Sequence, residues 1–153
     1  MNYFDPFSLP FWVTIGVAIL CGAVIGLERQ LRGKPAGVRT SCLICLGTAV
    51  FVHLGSGILL TGADPTRVLG QVVTGIGFLG AGVILAREGV VSGVTTAAVI
   101  WVLAAIGAAI GFGHVLGAIA LAVVTVAILT GIEFLESGIR LLRRGVHSHD
   151  QDS

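Results

Sequence analysis

Along this chain, uncharged apolar runs alternate with short clusters of charge, and the spacing predicts a series of long helices. Leu9 to Leu27 carries no charge and ends at Glu28-Arg29. Thr40 to Ala63 is uncharged up to Asp64, and Val68 to Ala86 is uncharged up to Arg87-Glu88. Each run is close to the ~20 residues a helix needs to cross the hydrocarbon of a bilayer. From Gly89 to Ile132 no charge occurs at all, which is too long for one crossing at about 1.5 Å per residue. Gly111-Phe112-Gly113-His114 breaks that stretch, giving helices over 93–111 and 115–133. The expected fold is all-α: a polytopic membrane helix bundle with about five transmembrane helices.

Local signals refine the boundaries. Asp64-Pro65 reads as an N-cap followed by proline at the first helical position, starting the third helix. Ser92 is expected to cap the fourth in the same way. Glu133 to Gly145 continues the fifth as an amphipathic helix, with Glu136 and Arg140 four residues apart. Residues 1–145 thus form one transmembrane domain, and 146–153 are expected to be a disordered cytoplasmic tail.

In lipid, small residues let helix backbones approach closely, and that packing holds a bundle together. The first helix places Ala18, Gly22 and Gly26 at four-residue spacing. The third holds Gly70, Thr74, Gly75, Gly77, Gly80 and Gly82, on several faces, so it is expected to be the central helix with more than one neighbour. The fourth is similar, with Ala97, Ala98, Ala104, Ala105, Gly107, Ala108 and Ala109.

Composition turns the helix pattern into a statement about solvent. Of the 153 residues, 55% are hydrophobic and 11% charged, and mean hydropathy is +1.00. A soluble domain carries about 25% charged residues, and one of this size cannot hide so much apolar surface. Lipid is the expected surroundings. A net charge of +1 offers no field to draw in nucleic acid. Met1 to Leu9 has no Lys or Arg, so a secretory signal is not expected. With five spans and the N-terminus outside, Arg29, Arg32, Lys34, Arg39, Arg87, Arg140, Arg143 and Arg144 fall on the cytoplasmic side. Only Arg67 falls outside, a strong positive-inside bias that also puts the C-terminus in the cytoplasm. Arg140, Arg143 and Arg144 are expected to meet anionic lipid headgroups.

Candidate chemistry is sparse. Cys42 and Cys45 form a C-x-x-C pair, but neither a thioredoxin-like context nor a second ligand pair accompanies it. With Cys21 they read as packing residues. Gly75-Ile-Gly77-Phe-Leu-Gly80 matches a dinucleotide pattern, yet it lies in an uncharged span without the flanking strand and acid the pattern requires. No nucleophile–base pair can be assembled, so an enzyme is not expected. No cofactor is expected, and Mg²⁺ enters only as a ligand or a signal, with no metal ligands assigned. The informative polar residues sit at helix ends. On the cytoplasmic side Glu28, Arg29, Arg39, Thr40, Arg87, Thr95 and Thr96 are expected to converge, with Glu28 paired to Arg39 or Arg87. For Arg29, Arg32 and Lys34 the alternative of simple anchoring or snorkelling to water is favoured. On the outer side Asp64, Arg67, Gln71 and Thr74 form a second cluster, lining a small cavity or bonding a neighbouring helix. His53 is expected to be a hydrogen-bonded neutral imidazole rather than a proton relay.

At Gly26-Leu-Glu-Arg-Gln30, Gly37-Val-Arg-Thr40, Asp64-Pro-Thr-Arg67, Gln71-Val-Val-Thr-Gly-Ile-Gly-Phe-Leu-Gly-Ala-Gly-Val-Ile84 and Gly93-Val-Thr-Thr-Ala-Ala98, the sequence resembles the MgtC/SapB family of bacterial inner-membrane proteins. The resemblance covers nearly the whole chain and implies a role linked to magnesium limitation. It also implies that Glu28, Arg29, Arg39, Thr40, Asp64, Arg67, Gln71, Gly75, Gly77, Gly80, Gly82, Thr95 and Thr96 occupy signature positions. This chain has Thr95 where some members have Asn, and Val38 and Val94 where Leu is usual. It stops soon after the fifth helix, so the soluble ACT-like domain of longer members is not expected. The leading reading is a non-enzymatic membrane protein acting through helix contacts with itself or another membrane protein. The alternative is a transporter or channel for Mg²⁺ or another small solute.

Overall fold

The structure is a computed structural model that describes residues 5–58, 65–87 and 90–146, with side chains over 5–55, 67–86 and 91–131. Five helices run in order: α1 (Leu9–Leu31), α2 (Val38–Ile58), α3 (Pro65–Gly82), α4 (Val94–Gly111) and α5 (Val115–Val146). Among the described residues α1, α2 and α4 are each long and apolar enough to cross a membrane. α5 has 32 residues, about 48 Å at ~1.5 Å each. It therefore outreaches a ~30 Å hydrocarbon core, as the expected continuation beyond Glu133 requires. α3 begins at Pro65, as the Asp64-Pro65 pair predicts, while Asp64 itself lies outside the described residues. The tail from residue 147 lies outside them too.

Two sequence expectations are corrected between α3 and α4. The uncharged run to Ala86 does not stay helical. α3 closes with short turns, Val83 N–H donating to Gly80 O at 3.3 Å and Ile84 N–H to Ala81 O at 3.1 Å. Leu85–Arg87 then pairs antiparallel with Val90–Ser92, Arg87 opposite Val90. Gly82 disfavours helix, and the β-branched Val83, Ile84, Val90 and Val91 suit extended backbone. Lack of charge reports solvent, not helix. Ser92, expected as a cap, instead donates across this hairpin to Leu85 O at 3.4 Å. The residue preceding α4 is Gly93, at φ 89°, and no side chain caps the helix. A Cβ at Gly93 would run into Val83 O, so only glycine fits.

The centre of the bundle is α4, not α3. α4 packs against all four other helices, whereas α3 packs mainly against α2 and α4. In the most apolar stretch of α4, 56% of residues are buried, against 28% in α1 and α2. Close approach comes from glycines on α1 and α4. A Cβ at Gly22 would sit 2.7 Å from Cys42 Cα, and one at Gly26 2.6 Å from Val38 Cα. At Gly107 and Gly111 it would meet the backbone oxygens of Cys45 and Ala49 at 2.5 and 2.7 Å. Ala18, Cys21, Ile25, Cys45, Ala49, Leu103 and Ile106 fill the seam. The thiols behave as packing groups: Cys45 Sγ donates to Leu103 O at 3.3 Å and Cys42 Sγ to Ile19 O at 3.4 Å. Trp12, Phe51, Phe78 and Leu116 point outward and are 59%, 67%, 80% and 83% exposed. Small residues at the helix crossings and large apolar ones on the outer face suit a bundle whose solvent is hydrocarbon.

Candidate functional site

Charge and hydroxyl groups gather where the C-terminal end of α1 meets the N-terminal end of α4. Glu28 and Arg29 occupy the last turn of α1, yet both are buried, at 8% and 4% exposure. Arg29 Nη2 donates to Thr96 Oγ1 on α4 at 2.9 Å, and its Nε to Pro35 O at 3.4 Å. Burying a guanidinium is costly without such partners, so this contact fixes α1 against α4. Arg29 is therefore not a snorkelling anchor, and that expectation is overturned.

Glu28 does not pair with Arg39, and the expected alternative, Arg87, lies outside the described side chains. Glu28 Oε1 lies 2.6 Å from Arg32 Nε, one turn on in the chain. Glutamate four residues before arginine is a favourable helix pair, and this spacing was legible in the sequence. Glu28 Oε2 is buried and has no hydrogen-bond partner among the described residues. Arg39, Thr40 and Thr95 are exposed, and the Arg87 side chain lies outside those described. The gathered set is thus Glu28, Arg29, Arg32 and Thr96.

Glu28, Arg29 and Thr96 border a cavity of about 630 Å³, along with Lys34, Pro35, Gly93, Val94 and Thr95, and with apolar walls from Val83, Leu85, Val91, Ile128 and Leu129. The first intrahelical bond of α4 runs from Ala97 N–H to Gly93 O at 2.9 Å. The N–H groups of Val94, Thr95 and Thr96 precede it, in the position where helix donors have no internal partner.

The second predicted cluster does not close up. Arg67, Gln71 and Thr74 are exposed on α3, Thr74 Oγ1 donates to Gly70 O of its own helix at 2.9 Å, and Asp64 lies outside the described residues. Of the two expected alternatives, Gln71 takes the cavity-lining one: it borders a wide groove of about 740 Å³ between α2, α3 and α4, with Thr40, Thr48, Phe51, Val68 and Gly75 among its walls. His53 is half-buried beside Phe11 and Thr14. Among the described residues no three His, Cys, Asp or Glu side chains come together to hold a metal ion.

The packing glycines divide sharply. Gly22 and Gly26 lie against α2, as described, and Gly80 lies 3.8 Å from Ala97 Cβ by the same measure. Gly75, Gly77 and Gly82 meet nothing within 4 Å, nor does Gly70. Gly70, Thr74, Gly77 and Ala81 recur every three or four residues and so share one face of α3, largely exposed. Gly107 and Gly111 are the glycines that seat α4, although in the sequence Gly107 stands out only as one of several small residues and Gly111 only as part of the helix break. Their four-residue spacing is the signal that could have found both.

A helix bundle with small residues inside, an apolar outer face and helices of membrane-crossing length defines the class: an integral membrane protein. The chain belongs to the MgtC family, which residues 15–137 match. It is 47% identical over 137 residues to the putative magnesium transporter YhiD of Escherichia coli K12, covering 85% of this chain and 62% of that protein. It is 44% identical over 116 residues to protein MgtC of Salmonella typhimurium LT2, covering 75% of this chain and 49% of MgtC. An uncharacterized protein of Haemophilus influenzae is 40% identical over 157 aligned positions, covering 97% and 63%. The chain therefore spans from about half to just under two-thirds of the length of these relatives. No solved structure matches it.

Proposed function

We propose that this chain is a multi-pass protein of the bacterial inner membrane that helps cells adapt to low magnesium through helix contacts, without catalysis. Its helices cross five times, with the N-terminus outside and the C-terminus cytoplasmic, the orientation that the arginine distribution favours. Arg29, Arg32, Lys34 and Arg39 lie at one end of the bundle and Arg67 at the other, which supports that reading. The partner is a second copy or another membrane protein.

One observation carries the proposal: α3 presents Gly70, Thr74, Gly77 and Ala81 outward with nothing packed against the glycines. Lipid tails gain little from a glycine surface, but a second helix can approach it closely. Photo-cross-linking from position 74 in native membranes tests this. A discrete larger species that disappears in Gly77→Leu is expected. Monomer alone, at native expression, would overturn the reading.

The groove beside Gln71 favours a second reading, passage of Mg²⁺ or another small solute, in keeping with the name of the Escherichia coli relative. Its walls are apolar apart from Thr40, Thr48 and Gln71, whereas Mg²⁺ takes oxygen ligands, usually with one or two carboxylates. That mismatch is why contact is preferred over transport. Liposomes containing the purified protein decide between them. Flux abolished by Gln71→Leu or Glu28→Gln would establish transport, and leakage equal to empty liposomes would remove it.

A further inference from the structure

The cavity between α1 and α4 is built for a ligand of mixed charge, and the partner reading above does not account for it. Donors come from two elements. α4 has 18 residues and no side-chain cap, so the N–H groups of Val94, Thr95 and Thr96 are available at the positive end of its dipole. Opposite them, Arg29 spends only Nε and one Nη2 proton on the contacts described, out of five N–H donors. Uncapped helix N-termini with a guanidinium beside them hold phosphate well.

A second, independent feature narrows the ligand. Glu28 is 8% exposed, borders the same cavity, and keeps Oε2 buried without a partner among the described residues. An unmet buried carboxylate oxygen is costly, and it accepts only from a donor. The negative charge of Glu28 is already offset by Arg32 at 2.6 Å. Among the described residues Arg29 and Lys34 therefore leave the surroundings positive, while Oε2 remains free for a donor carried by an anion. The ligand must bear both groups.

We propose that this cavity binds a phosphate ester carrying an ammonium group, the chemistry of an aminoethyl phosphate. The phosphate sits at the α4 N-terminus and Arg29, and the ammonium donates to Glu28 Oε2. At about 630 Å³ the cavity exceeds what this polar group alone would fill. Its Val83, Leu85, Val91, Ile128 and Leu129 walls suit attached hydrocarbon. The same headgroup comes from two sources, a phosphatidylethanolamine lipid or a free phosphate ester, and the apolar walls favour the lipid.

Native mass spectrometry of the purified full chain, delipidated and then offered single lipids, tests the assignment. Retention of phosphatidylethanolamine over phosphatidylcholine by about tenfold is expected, since a quaternary ammonium cannot donate and one charge-assisted hydrogen bond supports a ratio of that size. Glu28→Gln should bring the two lipids to near parity. Lys34→Ala, on an exposed side chain outside the packed seam, should weaken retention of phosphatidylethanolamine about threefold without unfolding the bundle. Displacement of the lipid by free phosphoethanolamine identifies a soluble ester as an occupant, and failure to displace identifies the lipid; both uphold the site. Equal retention of the two lipids by the unmodified chain overturns it. So does selectivity unchanged in Glu28→Gln when circular dichroism shows the variant folded.

Discussion

The glycines of the α1–α2–α4 seam and those of α3 are the same residue in similar apolar surroundings, yet they do opposite things. At Gly22, Gly26, Gly107 and Gly111 a neighbouring backbone or side chain occupies the space a Cβ would need. At Gly70, Gly75, Gly77 and Gly82 that space is open. In the seam, glycine is the condition for two helices to touch. On α3 it only leaves the helix thin, since glycine within a helix is unfavourable by itself. The contrast shows that a small-residue count locates close packing only when the opposing helix is known.

The contrast can be broken most forcefully in the seam. Gly26→Ala places a methyl 2.6 Å from Val38 Cα, a backbone atom that cannot swing aside. A loss of about 3 kcal/mol is expected, at the upper end of overpacking costs, read by thermal unfolding in detergent micelles. Next in size is Thr96→Val, which removes the hydroxyl that receives Arg29 Nη2 at 2.9 Å. That should cost about 2 kcal/mol by the same measurement, the range for a hydrogen bond to a charged group. Its counterpart on α3, Thr74→Val, loses only a bond to its own helix at Gly70 O and should change stability by less than about 0.5 kcal/mol.

A further effect, of about the same modest size, has the opposite sign and is the sharpest test. Gly77→Ala adds a methyl where nothing lies within 4 Å, so helix propensity alone should raise the monomer's stability by about 0.5–1 kcal/mol. A loss there comparable to that of Gly26→Ala would mean that α3 is already packed, and the two sets of glycines would no longer differ.

The polar end of the bundle was partly legible. Glu28, Arg29 and Thr96 could each be singled out because charge and hydroxyl groups are scarce in a chain this apolar. Their pairing could not. Glu28 meets Arg32 rather than Arg39 because a cation stands one turn away on its own helix. Arg29 is buried, not snorkelling, because the loop carrying Pro35 and the start of α4 close over it. Thr40 and Thr95 belong to the same sequence clusters but stay exposed, since a one-residue step around a helix turns a side chain by about 100°.

What the amino-acid order determined by itself is the solvent and the tally of helices. Burial in lipid depends on composition summed over ~20 residues, and breaks such as Gly111-Phe112-Gly113-His114 are local. Which helix lies at the centre, where α3 gives way to a hairpin and which glycines are covered were decided only by the tertiary structure. Those outcomes depend on the surface a second helix presents, and in lipid many apolar faces attract a neighbour about equally. Fit between particular backbones separates them, and that fit is a property of pairs of segments far apart in the chain.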